Sequence, residues 1–118
     1  MAKLKVWHNP RCSKSRETVA LLKERGAEVD ITLYLETPPD AQKLDHVLQL
    51  LDLEPRQLMR RKETPYKELG LAADHHSRSD LIDPMVAHPI LIERPVVMTA
   101  TRAAVGRPPE NVLALLEP

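Results

Sequence analysis

Cys12 is the single cysteine of the chain, and it sits in KVWHNPRCSKSRET among His8, Arg11, Lys14 and Arg16. The reactive form of a cysteine is the thiolate, and an ordinary thiol ionises only near pH ~8.5. Positive groups around a sulfur therefore point to nucleophilic chemistry at neutral pH. The four cations could each add charge, though they cannot all aim at one atom. Ser15 lies one helical turn beyond Cys12, where its hydroxyl could donate a hydrogen bond to a thiolate or to a bound anion. The same position is where the second cysteine of a Cys-x-x-Cys redox motif would stand. With one cysteine in the chain, no internal disulfide can form.

A lone cysteine is more often a small buried hydrophobe than a nucleophile, so the surroundings decide. Residues 3–8 alternate, with Leu4 and Val6 on one side and Lys5 and Trp7 on the other, as a strand does. The residues NPRC break that pattern. A helix is expected from about residue 13 to 25, with Val19 and Leu22 turned inward and Gly26 as its C-terminal stop. Cys12 thus falls at a helix start, where free backbone N–H groups and the positive end of the helix dipole favour an anion. Such a polar, exposed place suits a nucleophile better than an inert packing residue.

Three more arginines stand at the ends of expected elements. Arg60 and Arg61 are consecutive and point about 100° apart on a helix, so at most one faces a given site. Arg94 directly precedes Pro95, in a peptide bond that can be cis. Arg107 precedes Pro108 and Pro109 and is therefore extended. Taken singly, each reads as a surface arginine. Their positions are where loops gather into sites.

The elements that must hold these residues follow from periodicity. After the first helix, VDITLYL alternates and reads as a second strand, making a right-handed βαβ unit with parallel strands. In TPPD, Thr37 and Asp40 have capping-box spacing, and Leu44, Val47, Leu48 and Leu51 continue at helical spacing. Pro55 opens a short helix, and TPYKELG repeats the pattern of Thr cap, proline and stopping Gly70. SRSDLIDPMVAHP is helical in period but carries Pro84, which predicts a kink or a restart capped by Asp83. Beyond His88 the chain is extended. Residues 96–98 and 102–105 read as a hairpin, and RPPENVLALLE as a closing helix.

The 17 Lys and Arg balance the 17 Asp and Glu, so no net field draws the chain to nucleic acid or anionic membrane. Aromatic residues are 3% of the chain, too few for base-stacking platforms. The glycines are Gly26, Gly70 and Gly106, which makes no phosphate-binding loop. His75 and His76 are adjacent and have no ligand spacing, so no metal site is expected. The absence of an apolar leader or of a membrane-length apolar run, with the single thiol, makes a cytoplasmic protein the expectation. No repeat or linker divides the 118 residues, and one domain spanning 1–118 is expected.

HNPRCSKSR, LYLETPP, PYKELGL, HPILIERPVV and GRPPE together resemble the glutaredoxin-linked arsenate reductase, or ArsC, family, in order and from about residue 6 to 116. The resemblance implies an α/β, thioredoxin-like fold. A mixed four-stranded sheet would be built from an N-terminal βαβ and a C-terminal ββα unit, with a helical insertion at about 38–88 and a cis bond before Pro95. It implies that Cys12 attacks arsenate or a related oxyanion, with His8 helping to keep the thiolate ionised and Ser15 bonding nearby. Arg60, Arg94 and Arg107 would clamp the oxyanion, each by parallel N–H donors. Glutathione as co-substrate and glutaredoxin as partner would supply the remaining thiols, so one cysteine suffices. No bound cofactor is implied, and a monomer is expected. Ser13 stands where family members with arsenate chemistry usually have glycine. Two other readings share the fold: a glutathione-dependent thiol oxidoreductase acting on another substrate, and an RNA polymerase-binding regulator like Spx, whose usual Cys-x-x-Cys switch Ser15 removes.

Overall fold

The computed structural model describes residues 3–117. The chain forms two compact units, Met1–Thr37 with Arg94–Pro118, and Pro38–Glu93. In the first unit, strands β1 (Lys3–Trp7), β2 (Glu28–Thr32), β3 (Val96–Met98) and β4 (Ala103–Val105) form one sheet among the described residues, in the order β2-β1-β3-β4. β1 pairs parallel with β2 and antiparallel with β3, and β3 pairs antiparallel with β4, so the sheet is mixed. This is the α/β, thioredoxin-like architecture that the resemblance implies.

The parallel pair needs a crossover, and helix α1 (Ser13–Glu24) provides it. Its Val19 and Leu22 pack with Leu4 and Val6 of β1, Val97 of β3, and Val112 and Leu115 of the C-terminal segment. The helix stops where expected, with Gly26 at φ +79°, a left-handed conformation that glycine adopts without a Cβ penalty. The C-terminal segment Pro109–Leu116 is a 3₁₀ helix rather than an α-helix. Arg102 donates to the carbonyls of Ala114 and Glu117 and so ties this segment to the turn before β4.

β2 is shorter than its sequence pattern. Alternation runs on to Leu35, yet the chain turns at Leu33, whose carbonyl accepts from the amides of Glu36 and Thr37 at 3.0 and 2.9 Å. Past this point Tyr34 is fully buried, while Leu33 and Leu35 are exposed; Ile31, still within β2, is exposed as well. β2 is a sheet edge, so period-2 patterning continues past the point where pairing ends.

The second unit holds helices α2 (Ala41–Leu51), α3 (Thr64–Glu68) and α4 (Arg78–Ala87), with 3₁₀ turns at Pro55–Leu58 and Pro89–Leu91. α2 packs on α4, and Leu44, Val47, Leu48, Leu81, Ile82 and Met85 are buried. Asp40, not Thr37, caps α2: its carboxylate accepts the Lys43 amide at 2.7 Å. The cap lies directly before the helix, and the two prolines stay outside it. Likewise Glu63 holds the N-cap place of α3, and Thr64 is its first helical residue. α4 starts in a capping box between Ser77 and Asp80 and continues through Pro84 without a restart at Asp83. An interior proline costs about 3 kcal/mol. Burial of Leu81, Ile82 and Met85, at about 1.5–3 kcal/mol per side chain, offsets that cost.

Leu22 is fully buried where α1 meets the sheet. Leu22→Ala is expected to lower unfolding free energy by about 2–5 kcal/mol in urea titration. An unchanged midpoint would contradict the packing of α1 described here.

Candidate active site

The site grows out of the end of β1. The His8 amide donates to the Thr32 carbonyl at 2.9 Å, extending the parallel ladder by one residue. The chain then turns tightly. Asn9 Oδ1 accepts the Arg11 amide at 3.0 Å, and the Asn9 carbonyl accepts the Cys12 amide at 3.0 Å. An Asx-type turn of this sort suits the Asn-Pro dipeptide. It delivers Cys12 to the N-cap of α1 with extended backbone (φ −95°, ψ 123°).

Cys12 is 9% exposed. Burial pushes the thiol's pKa up, but the amide of Ser15, the Arg94 side chain and the amide of Lys14 together pull it below its ordinary value. Neither amide closes a cap hydrogen bond to the sulfur, yet both face it from the first helical turn and favour negative charge there. Arg107 Nη2 donates to Cys12 Sγ at 3.4 Å, and Arg107 Nε donates to the Arg94 carbonyl at 2.8 Å.

The cations crowded around Cys12 in sequence do other work. Lys14 pairs with Glu17 at 3.6 Å, and Arg16 donates to the Pro10 carbonyl at 2.9 Å, which braces the turn. The guanidinium groups that act on the sulfur come from Arg94 and Arg107, at the far end of the chain. Both precede cis prolines, Pro95 and Pro108.

His8 and Ser15 meet each other. His8 Nδ1 and Ser15 Oγ are 2.7 Å apart, and Ser15 Oγ accepts the Asn9 amide at 3.0 Å. The hydroxyl expected near the sulfur is thus engaged behind it, and the amide of Ser15 is what faces the sulfur. Ser15 is completely buried. Desolvation, then the nearby charges of Arg16 and Lys23, hold the His8 pKa below its usual value, which favours the neutral imidazole. The printed contact of the His8 ring is thus with Ser15 behind the turn.

Arg60 belongs to the second unit, where its guanidinium bonds Glu63 and Glu93. Among the described residues no group of three or more His, Cys, Asp or Glu side chains is placed to hold a metal ion. No helix among them is long and apolar enough to cross a membrane.

Three positioning residues escaped the sequence reading: Asn9, Thr18 and Gly106. Thr18 is buried one turn after Lys14, and its hydroxyl donates to the Lys14 carbonyl at 2.8 Å and more weakly to the Gly106 carbonyl at 3.5 Å. A Cβ on Gly106 would lie 2.5 Å from Thr18 Oγ1 and 2.7 Å from Pro95 Cγ. The bare glycine thus lets the chain before Arg107 press against α1 and Pro95. The signal for Asn9 was the Asn-Pro pair before the cysteine. Gly106 was visible only as a glycine beside Arg107, and nothing in the sequence marked Thr18.

The sequence model of the ArsC family matches residues 7–115. This chain belongs to the ArsC family. YfgD, an uncharacterized protein of Escherichia coli K12, is 53% identical over 114 residues, covering 96% of each chain. An arsenate reductase of Neisseria meningitidis serogroup A is 45% identical over 117 residues, covering 98% of this chain and 100% of its own. Among solved structures, an arsenate reductase from Vibrio cholerae superposes with a TM-score of 0.93 at 46% identity, over 96% of this chain and 97% of the other. The thiol at a helix start, faced by two arginines, is therefore found in an ArsC chain whose fold is shared with that structure.

Alkylation of Cys12 should titrate below the ordinary thiol value of ~8.5. Because the folded pKa is lowered, wild type should gain stability over Cys12→Ser as pH rises through the folded pKa, with no further gain above the unfolded value. An alkylation rate that rises only above pH ~8.5 would contradict this. Gly106→Ala is expected to cost about 1–3 kcal/mol by overpacking and to slow Cys12 alkylation at neutral pH, as Arg107 is displaced. An unchanged melting temperature and rate would show that Thr18 and Pro95 yield freely.

Proposed function

We propose that this chain reduces arsenate to arsenite through Cys12, with glutathione and glutaredoxin supplying the other thiols. The observation that carries the reading is the approach of Arg107, bonded in turn to the Arg94 carbonyl, to a sulfur whose ionisation is favoured. A tetrahedral oxyanion and a thiolate need the same surroundings: donors fixed in place and positive charge in a partly dry site. The chain's likeness to the arsenate reductases of Neisseria meningitidis and Vibrio cholerae supports arsenate as the substrate.

In this reading the Cys12 thiolate attacks arsenic(V) and displaces one oxygen as water, forming a sulfur–arsenic bond. Arg94 and Arg107 neutralise the oxyanion, and the amides of Lys14 and Ser15 hold charge on the sulfur before attack. The resemblance gives Arg60 the third place in that clamp. The thiol of glutathione displaces a second oxygen as water. The thiolate of glutaredoxin then attacks the glutathione sulfur, the electron pair of the broken sulfur–arsenic bond returns to arsenic, and a disulfide leaves. Arsenic is now trivalent, and water releases arsenite and the Cys12 thiolate. Arsenic gains two electrons and two external thiols lose them, so one cysteine in the chain is sufficient.

Arsenite formation with glutathione and glutaredoxin should depend on Cys12. Cys12→Ser should remove it entirely, and His8→Ala should lower kcat by up to about 100-fold through the turn that Ser15 and His8 hold. Wild type that yields no arsenite above the Cys12→Ser background, yet turns over a glutathione mixed disulfide, would replace arsenate reduction with thiol–disulfide exchange.

A further inference from the structure

We propose that Thr18 is a positioning residue for the Cys12 thiolate, its hydroxyl acting through the single peptide group that joins Lys14 to Ser15. The proposal rests on the thiolate reading above and leaves the identity of the oxyanion open.

All of the groups involved lie in the first unit. The N–H and C=O of one peptide group point in opposite directions along a helix. At the start of α1 the N–H of this group, on Ser15, faces the sulfur. Its carbonyl, on Lys14, accepts the Thr18 hydroxyl at 2.8 Å. In an α-helix that carbonyl also accepts the Thr18 amide, so two donors pull on the oxygen. A hydrogen bond at the carbonyl end polarises the amide and strengthens the bond that its N–H makes, by about 10–30%. The other end is held too. Ser15 Oγ accepts the Asn9 amide at 3.0 Å and lies 2.7 Å from His8 Nδ1. The peptide group is thereby fixed on both sides, with its N–H aimed at Cys12.

A threonine hydroxyl bonded back to the carbonyl four residues earlier is common in helices and often only satisfies itself. Two observations carry Thr18 further. Thr18 is fully buried against Gly106 and Pro95, where valine would fill the same shape with no polar atom to satisfy. Its one proton has two acceptors, and the Gly106 carbonyl at 3.5 Å is far weaker than the Lys14 carbonyl at 2.8 Å. The hydroxyl is thus spent on the peptide group whose other end meets the sulfur. The charged groups around this peptide act elsewhere or directly. Arg94 and Arg107 face the sulfur from the segments before β3 and after β4, His8 faces Ser15, and Lys14 and Arg16 turn to Glu17 and Pro10.

The test is the pH profile of Cys12 alkylation by iodoacetamide in wild type, Thr18→Val and Thr18→Ser. Valine keeps the shape and loses the hydroxyl; serine keeps the hydroxyl and loses the methyl. Thr18→Val should move the profile to higher pH and slow alkylation on its rising limb by about 1.5–5-fold, without lowering the plateau at high pH. Thr18→Ser should titrate as wild type, whatever its melting temperature. Because Thr18 also touches the chain before Arg107, the pair is repeated in an Arg107→Ala background, where the valine effect should persist. Should Thr18→Val fail to fold, Thr18→Ala replaces it against the same serine control. The proposal is overturned if the valine variant titrates as wild type, if serine shifts the profile as much as valine, or if the effect vanishes in Arg107→Ala. A wild-type profile at the ordinary thiol value would overturn the thiolate reading as well, whereas a low wild-type value unchanged by valine overturns the role of Thr18 alone.

Discussion

The structure turns on what favours ionisation of a nearly buried sulfur. Burial alone would protonate Cys12. The charge is favoured because a helix begins at that residue and because two arginines arrive from another part of the sequence. Each contribution is modest in isolation. Amides at a helix start act only within the first turn, and an exposed cation is strongly screened. Their effect depends on rigid placement, and much of the first unit serves that placement. β1 sets the starting point, Asn9 shapes the turn, α1 packs on the sheet through Val19 and Leu22, and Gly106 lets the chain before Arg107 lie against Thr18 and Pro95.

Seen this way, the buried polar trio of His8, Ser15 and Asn9 has a mechanical role. Ser15 is a polar residue on the inward side of α1, and it is satisfied by the imidazole and by a backbone amide. A buried hydroxyl without partners would cost about 1–3 kcal/mol, so this network penalises any other path of the turn. A neutral His8 fits the role, since a buried imidazolium would need its own counter-charge.

How much of this could be read from the sequence varies with the range of the interaction. The βαβ unit, the hairpin and most helices follow from local period and from Gly26 and Gly70, and they are present, although β2 ends three residues before its pattern does. The reading went wrong where a local pattern outlasts its cause. Leu33 and Leu35 continue a strand's alternation, although pairing has ended and the chain has turned. Thr37 has the spacing of a cap, but Asp40 lies nearer the helix. Pro84 breaks a local rule that buried leucine, isoleucine and methionine overrule. In the site, the helix-start position of Cys12 was legible because strand, turn and helix are adjacent in sequence. The cations beside it in sequence misled, because Lys14 and Arg16 turn to Glu17 and to Pro10. Arg94 and Arg107 stood out at element ends, but their convergence on one site came only through family resemblance, since no local pattern reports which distant loops meet. Ser15 was the right residue by its spacing, but its hydroxyl faces His8 and its amide faces the sulfur.

The central claim is that donors on two sequence-distant segments share the work of ionising Cys12. The most direct measurement is an NMR titration of the ¹³Cβ shift of Cys12 in wild type, in Arg107→Ala, and in the Arg94→Ala/Arg107→Ala double variant, with folded content checked in each. The account predicts a wild-type pKa below the ordinary thiol value, a higher one in Arg107→Ala, and a still higher one in the double variant, because burial then acts against the helix start alone. Titration at the same pH in all three proteins would contradict it.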